Sequence, residues 1–340
     1  MNTTIALDAM GGDNGPGEII PAAILALKKF PRLNLILVGI EDELRRILDE
    51  QEFNDPGRIE IRHASEVVEM HEPPSQALRN KKDSSMRVAI ELVKEDHAAA
   101  CVSAGNTGAL MATARYLLKM LPCIDRPAIC SSLPAIKGMT RLLDLGANVD
   151  SSSEQLFQFA VMGTELASAI DGTNEPTVAL LNIGEEEIKG NDQVKQAAAL
   201  LANSHLNYIG FAEGTDIYTG NVDVIVCDGF AGNIALKASE GVAQLLRHHV
   251  ELEFRKNLYG RMAALVAMPV LKGIKNSIDP RNYNGASLLG LKEIVIKSHG
   301  SADRVSFANA IKEAINEVEH DVPERISHKL EQLLTERQAI

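Results

Sequence analysis

Four short stretches hold the residues best suited to chemistry: Asp8-Ala-Met-Gly-Gly-Asp-Asn-Gly-Pro-Gly17, Ser103-Ala-Gly-Asn-Thr-Gly108, Asp144-Leu-Gly-Ala-Asn148 and Cys227-Asp-Gly-Phe-Ala-Gly-Asn233. Each lies just beyond an apolar run. Glycines let the backbone approach a ligand closely, and the helix that the first stretch opens offers free N–H groups, so an anion is the natural guest. The alternative is a tight strand-to-helix turn with no ligand. The first stretch does not fit G-x-G-x-x-G, and no acidic ribose partner stands at an obvious place, which weakens a dinucleotide reading. Asn106, Asn148 and Asn233 bring neutral donors and acceptors, which suit the orientation of a carbonyl or phosphate better than proton abstraction. Asp8, Gly11, Gly12, Asn14, Asn106, Thr107, Asn148 and Gly232 are the candidate substrate-contacting positions in these loops.

Positive charge for such a site could come from Lys189, in the glycine-bounded Asn182-Ile-Gly-Glu-Glu-Glu-Ile-Lys-Gly190, although a lone loop lysine is ordinarily a solvated surface charge. His299, in Lys297-Ser-His-Gly-Ser301, is the best-placed histidine, open to site, core or capping use. Arg79, Lys81 and Lys82 precede Ser84, Ser85 and a helical run. They could hold an acidic ligand or form a solvated loop. There is no Walker loop, H-E-x-x-H, G-x-S-x-G or H-x-x-x-x-D pair, so a serine–histidine route has no visible support.

The elements that must position these residues alternate. Apolar runs at 4–7, 33–38, 59–63, 99–103, 129–133, 177–182, 207–211, 222–227 and 291–296 read as strands. Helical spacing marks 17–29, 107–121, 154–169 and 192–203. That pattern predicts an α/β chain, a mostly parallel sheet between two helical layers, with all four loops beyond strand carboxyl ends around one crevice. The alternation breaks from Asn233 to about Ser277, which reads as a helical hairpin with bends at Gly260, Pro269 and Gly273. Residues 302–335 are again helical, with Pro323 in a first turn. One domain spanning 1–340, with the hairpin at 238–280, is the expected organisation.

The 340 residues suffice to bury roughly three quarters of the unfolded surface. The 45% apolar and 24% charged content are those of a folded, water-soluble chain. No basic prelude to an apolar leader and no membrane-length apolar stretch is present, so a cytoplasmic protein is expected. Cys101, Cys123, Cys130 and Cys227 read as reduced core thiols without metal-ligand spacing. A net charge of −12 argues against nucleic-acid binding.

The motif Ala6-Leu-Asp-Ala-Met-Gly-Gly-Asp-Asn-Gly-Pro16 resembles the N-terminal signature of the PlsX-type phosphate acyltransferases. The similarity continues through Leu78-Arg-Asn-Lys-Lys-Asp-Ser-Ser-Met86, Ser103–Ala109, Leu143–Asn148, Asp228–Asn233 and His299–Ser301. The resemblance implies transfer of a fatty acyl group from acyl carrier protein to inorganic phosphate, giving acyl phosphate for phosphatidic acid synthesis. It further implies the architecture of isocitrate and isopropylmalate dehydrogenases, no metal or redox cofactor, and a homodimer at the membrane surface. Catalytic roles fall on Lys189 and Asn233, with His299 among the substrate contacts. A dehydrogenase of the same architecture is the competing class, but no metal-binding aspartate set or nicotinamide site is visible; a noncatalytic membrane scaffold is a third.

Two surface expectations follow. The carrier is acidic, so Arg79, Lys81 and Lys82 are candidates for its docking patch. Between Phe254 and Ile278 the chain carries +5 through Arg255, Lys256, Arg261, Lys272 and Lys275, with no acidic residue. Leu258, Met262, Leu265 and Val266 there could lie in a membrane interface, or the hairpin could be buried at a dimer contact.

Overall fold

The computed structural model describes residues 2–53 and 55–338, without the side chains of 274–278, 334 and 336–338. The first apolar run becomes β1 (Thr3–Asp8), with β2 (Leu33–Gly39) and β4 (Ala100–Ser103) parallel on its two sides. Flanked on both edges and covered on both faces, β1 needs an unbroken apolar sequence, and Ile5, Ala6 and Leu7 are all fully buried. β3 (Ile59–His63) extends this half beyond β2, and β11 (Ile294–Lys297) joins it parallel to β4. α1 (Pro16–Lys29) and α10 (Arg304–Glu319) cover one face, packing on Ile5 and Leu7. α4 (Ser85–Lys94) and α5 (Thr107–Leu118) cover the other, packing on Ala6. α2 (Glu41–Asp49) and α3 (Pro74–Asn80) complete the periphery.

The second half is built from β6 (Met139–Leu143), β9 (Val224–Val226), β7 (Val178–Leu181) and β8 (Tyr208–Ala212), mutually parallel. α6 (Ser153–Asp171), α7 (Asp192–Ala202) and α11 (Val322–Gln338) cover one of its faces. α6 starts at a reciprocal capping box, Ser152 with Gln155, and stops at Gly172 in the left-handed conformation. Two central strands, β10 (Ala286–Leu289) and β5 (Ala128–Pro134), join the halves into one eleven-stranded sheet ordered β3-β2-β1-β4-β11-β10-β5-β6-β9-β7-β8.

The expected mostly parallel sheet with helices on both faces holds, but its two halves run in opposite directions. β10 is antiparallel to both β11 and β5, and β5 is antiparallel to β6. The expectation of four loops at one edge is therefore corrected: loops after β1, β4 and β11 leave one edge, and those after β6, β7 and β9 leave the opposite edge. β6 and β10 are absent from the strands expected from sequence, and the last strand is Ile294–Lys297 rather than 291–296. Cys101, Cys130 and Cys227 are core thiols as expected, whereas Cys123 is exposed.

β6 escaped because Arg141 interrupts its apolar pattern. That arginine is buried, and its guanidinium grips Asp171 at the end of α6 through bonds of 2.8 and 2.9 Å, with Glu313 of α10 at 3.8 Å. Glu317, one turn on along α10, is fully enclosed and bonds Ser287 of β10. Its Oε1 has no partner among the described residues. Burial, reinforced by the charge of Glu313, pushes the Glu317 carboxyl up to about 8. This network pins the second half of the sheet to a helix of the first.

After β9 the chain enters α8 (Gly229–Arg255) and returns through α9 (Leu258–Ile278), which the Asn257 side chain caps at Gly260 N. Ala231, Ala235 and Leu236 pack on the second half's free face, but every residue from 241 to 253 is exposed. The helical run expected from Asn233 thus starts four residues earlier, and the hairpin stands away from the sheet.

Candidate functional site

The loops after β1, β4 and β11 form one group. Asp8 is buried, its Oδ1 accepting from Ser85 Oγ and its Oδ2 from Ser103 Oγ, both at 2.6 Å. Burial raises its pKa, and the two hydroxyls and the Met10 amide oppose the rise. Its carboxylate thus braces three segments from beneath. A side chain at Gly11 would meet Gly105 N at 2.8 Å, and one at Gly12, whose φ is +85°, would meet Gly300 O at the same distance. Both positions need glycine because backbones touch there, with Asp13 N donating to Gly300 O at 2.8 Å. Asn14 is exposed and donates to Ala302 O at 3.1 Å.

Asn106 caps α5 by accepting from Ala109 N, while its Nδ2 donates to Met70 O and Glu72 O at 2.9 and 3.0 Å. It therefore ties the segment leading into α3 to this group. Thr107 is exposed at the first turn of α5. His299 Nδ1 accepts from Ser301 N at 3.2 Å, and burial holds the ring's pKa below its usual value. Lys297, which sequence reasoning passed over, is buried and donates to Ala104 O at 3.2 Å and to Ser298 O.

The loops after β6 and β9 form a second group around Asp144. Its carboxylate accepts from the amides of Ile129, Gly146, Ala147 and Asn148 at 2.7–3.2 Å, and from Asn148 Nδ2 at 2.9 Å. Burial raises its pKa against those donors. Asn148 is buried too, spending its second amide proton on Pro127 O, and its carbonyl accepts from Gly229 N at 2.8 Å. Asp228 caps α8 at Ala231 N, 2.7 Å. Gly232 is buried against Asp144 with no room for a side chain. Asn233 faces outward, its side chain lying over Gly146.

Lys189 follows β7, the neighbour of β9, so it leaves the same edge as this second group. Asn182 Nδ2 closes its loop by donating to Gly184 O at 3.1 Å, and Gly190 needs φ +89°. The lysine is 41% exposed and pairs with Glu186 at 2.7 Å, which raises its pKa. Five strand steps separate β7 from β11, about 24 Å at about 4.8 Å each. α8 carries Asn233 in its first turns and Lys237 one turn on; burial lowers the pKa of Lys297 and His299, and the charge of Lys237 adds to the fall in both.

The sequence-predicted residues therefore divide. Asp8, Gly11, Gly12, Asn14, Asn106, Thr107 and His299 lie in the first group; Asn148, Gly232, Asn233 and Lys189 lie at the other edge. Sequence reasoning missed Lys237 and gave no role to Ser85, Asp144 and Lys297, although each stands in a stretch it quoted. Asp144 could have been found as the acid heading its glycine–asparagine loop, and Lys297 as a lone charge closing an apolar strand.

On the surface, Arg79 and Lys82 are exposed on and beside α3, whereas Lys81 is half-buried, pairing with Glu72 at 2.8 Å and bonding Val67 O. Leu258, Met262, Leu265 and Val266 are exposed on α9, Val266 to 83%. Ile274 and Lys275 lie outside the described side chains. No helix among the described residues is long and apolar enough to cross a membrane.

The fatty acid synthesis protein family matches residues 3–325. A phosphate acyltransferase of Methylococcus capsulatus is 59% identical over 335 residues, 98% of this chain and 99% of that protein. Among solved structures, a phosphotransacetylase from Streptococcus pyogenes superposes with TM-score 0.62 at 18% identity, over 93% of this chain and 94% of that one. A 4-hydroxythreonine-4-phosphate dehydrogenase from Klebsiella pneumoniae superposes with TM-score 0.52 at 17% identity, over 94% and 98%. At those identities the two structures establish the architecture alone, the sheet shared by acyl transferases and dehydrogenases. Near-complete coverage at high identity decides the kinship: the chain belongs to the fatty acid synthesis protein family, that of the PlsX-type phosphate acyltransferases.

Proposed function

We propose that the chain transfers a fatty acyl group from acyl carrier protein to inorganic phosphate, forming acyl phosphate for phosphatidic acid and phospholipid synthesis. The observation that carries the reading is Asn233. It is an outward-facing amide in the first turns of α8, on a glycine loop that Asp144 organises, beside the loop of Lys189. Neutral, rigidly held donors suit a reaction in which negative charge develops on a carbonyl oxygen. A phosphate oxygen attacks the thioester carbon, a C–O bond forms, the C–S bond breaks, and the carrier thiolate leaves to take a proton from solvent. No protein nucleophile takes part. Asn233 orients the carbonyl, and Lys189 turns from Glu186 to meet the developing oxyanion.

Acyl carrier protein docks through exposed cations at the mouth of the first group, Arg79 and Lys82, with Lys81 contributing on release from Glu72. Charge reversal at Arg79 and Lys82 weakens carrier binding at low salt and matters less at high salt; unchanged affinity at low salt removes the patch. A homodimer accounts for the apolar hairpin residues left exposed on α8, such as Leu245 and Leu246. The hairpin tip rests on the inner face of the cell membrane, beside the glycerol-3-phosphate acyltransferase that consumes the product. Turnover of acyl carrier protein thioesters by wild type and by Lys189→Ala tests the central assignment: near-normal phosphate-dependent turnover in the folded variant rejects the role of Lys189.

A further inference from the structure

The outward side of α8 around Asn233 is apolar, and the chemistry above gives it no role. Phe230 and Ile234 are four residues apart, so they stand on one side of the helix about 6 Å apart along its axis, with Asn233 beside them. Ala231, Ala235 and Leu236 occupy the opposite side and pack on the second half of the molecule. Phe230 is nevertheless 62% exposed and Ile234 50%.

The adjoining loops bring more bulky apolar side chains. Gly229 N donates to Asn148 O at 2.8 Å, and Phe230 and Val149 are the residues that follow those two, so the loop after β6 meets α8 at its apolar side. β7 pairs with β9 through Leu180 and Val226, so the loop that begins at Asn182 leaves the sheet next to Asp228, the cap of α8. That loop carries Ile183 and Ile188, and both of them, like Val149, are more exposed than Phe230. Single exposed apolar residues are ordinary, but five bulky ones at one edge, around polar groups, mark a binding surface.

Charge decides what covers it. Glu185 and Glu187 stand exposed between the two isoleucines. They repel an anionic membrane, and they repel the same loop of a second copy, whereas an uncharged alkyl chain meets no such opposition. A chain attached to the carbonyl that Asn233 orients also begins beside Phe230 and Ile234, because the three side chains share one side of two turns. We propose that Phe230 and Ile234, joined by Val149 and extended by Ile183 and Ile188, form the apolar strip that takes the fatty acyl chain and sets the preference for long chains. The assignment deepens the acyl-transfer reading and rests on it for the place of the carbonyl. Each methylene buried there is worth about four-fold in affinity.

The test uses the full chain with Phe230→Ala, Ile234→Ala and both together. Steady-state kinetics with octanoyl and hexadecanoyl thioesters of acyl carrier protein read chain preference, and fluorescence of cis-parinaric acid, a long-chain fatty acid, reads the strip without turnover. The proposal expects the double variant to lose at least about ten-fold in the ratio of kcat/KM for hexadecanoyl over octanoyl thioester and to bind the fatty acid at least about ten-fold more weakly. The KM for phosphate should stay within about two-fold of wild type, and Phe230→Leu should recover most of the ratio. Should the double variant fail to fold, Ile234→Ala decides. An unchanged ratio, with both thioesters slowed alike, overturns the strip, since the residues then only support Asn233. An unchanged ratio with a changed mass in sedimentation gives the face to a second copy, and one with lost liposome binding gives it to the membrane; both overturn the proposal. Wild type that binds the fatty acid in a Phe230-dependent way but makes no acyl phosphate would leave the strip standing and reject the acyl-transfer reading.

Discussion

Glu317→Gln gives the sharpest test of how the two halves of the sheet are held. In the folded chain the Glu317 carboxyl is enclosed between α10 and β10 and titrates at about 8, against an ordinary 4.5 once unfolded. A folded carboxyl with a raised pKa binds its proton more tightly than the unfolded one, so stability is full below pH 4.5. It falls as pH rises from 4.5, and the loss is complete above about 8. At about 1.4 kcal/mol per pK unit, this group lowers stability by under about 1 kcal/mol at pH 5 and by about 3 kcal/mol at pH 7. Glutamine keeps the shape and the bond to Ser287 but does not titrate. Urea unfolding of both proteins at pH 5 and pH 7.5 should show the variant gaining about 3 kcal/mol relative to wild type between the two. Any fixed penalty for the unpaired amide cancels in that comparison. An equal stability difference at both pH values would refute a neutral Glu317 in the folded chain.

Removing the Asp144 side chain with Asp144→Ala strips five donors of their acceptor and should lower stability by about 3–5 kcal/mol, read by urea unfolding; a loss below about 1 kcal/mol contradicts its role as organiser of the loop. Lys189→Ala, at an exposed position, should leave the unfolding midpoint unchanged while cutting turnover about a hundred- to a thousand-fold. Replacing Leu265 and Val266 together by Asp should release the protein from anionic liposomes in a flotation assay, with activity on dispersed substrate retained. Equal binding by wild type and the double variant removes the membrane tip.

Much of this was legible because the signals are local. Buried parallel strands such as β1 and β4 announce themselves as apolar runs, and Gly11, Gly12 and Asn106 mark turns that only particular residues can make. The direction of the second half was not legible, because it depends on β10 and β5 pairing antiparallel across more than 150 residues, and β10 is only four residues long. Arg141 hid β6 since its partners, Asp171 and Glu313, come from distant helices. Lys297 stands in the sequence only as the residue that opens the His299 motif; only the folded loops reveal that its charge is buried and makes no ion pair among the described residues.

The most direct measurement of the central claim is product formation by the purified chain. Long-chain acyl carrier protein thioester is mixed with inorganic phosphate, acyl phosphate is trapped as the hydroxamate, and released carrier thiol is titrated in parallel. The account predicts hydroxamate and thiol in equal amounts, both saturating with phosphate, and both nearly abolished in Asn233→Ala. Thiol release that proceeds without phosphate, or the absence of any trapped acyl group from folded wild type, would contradict it.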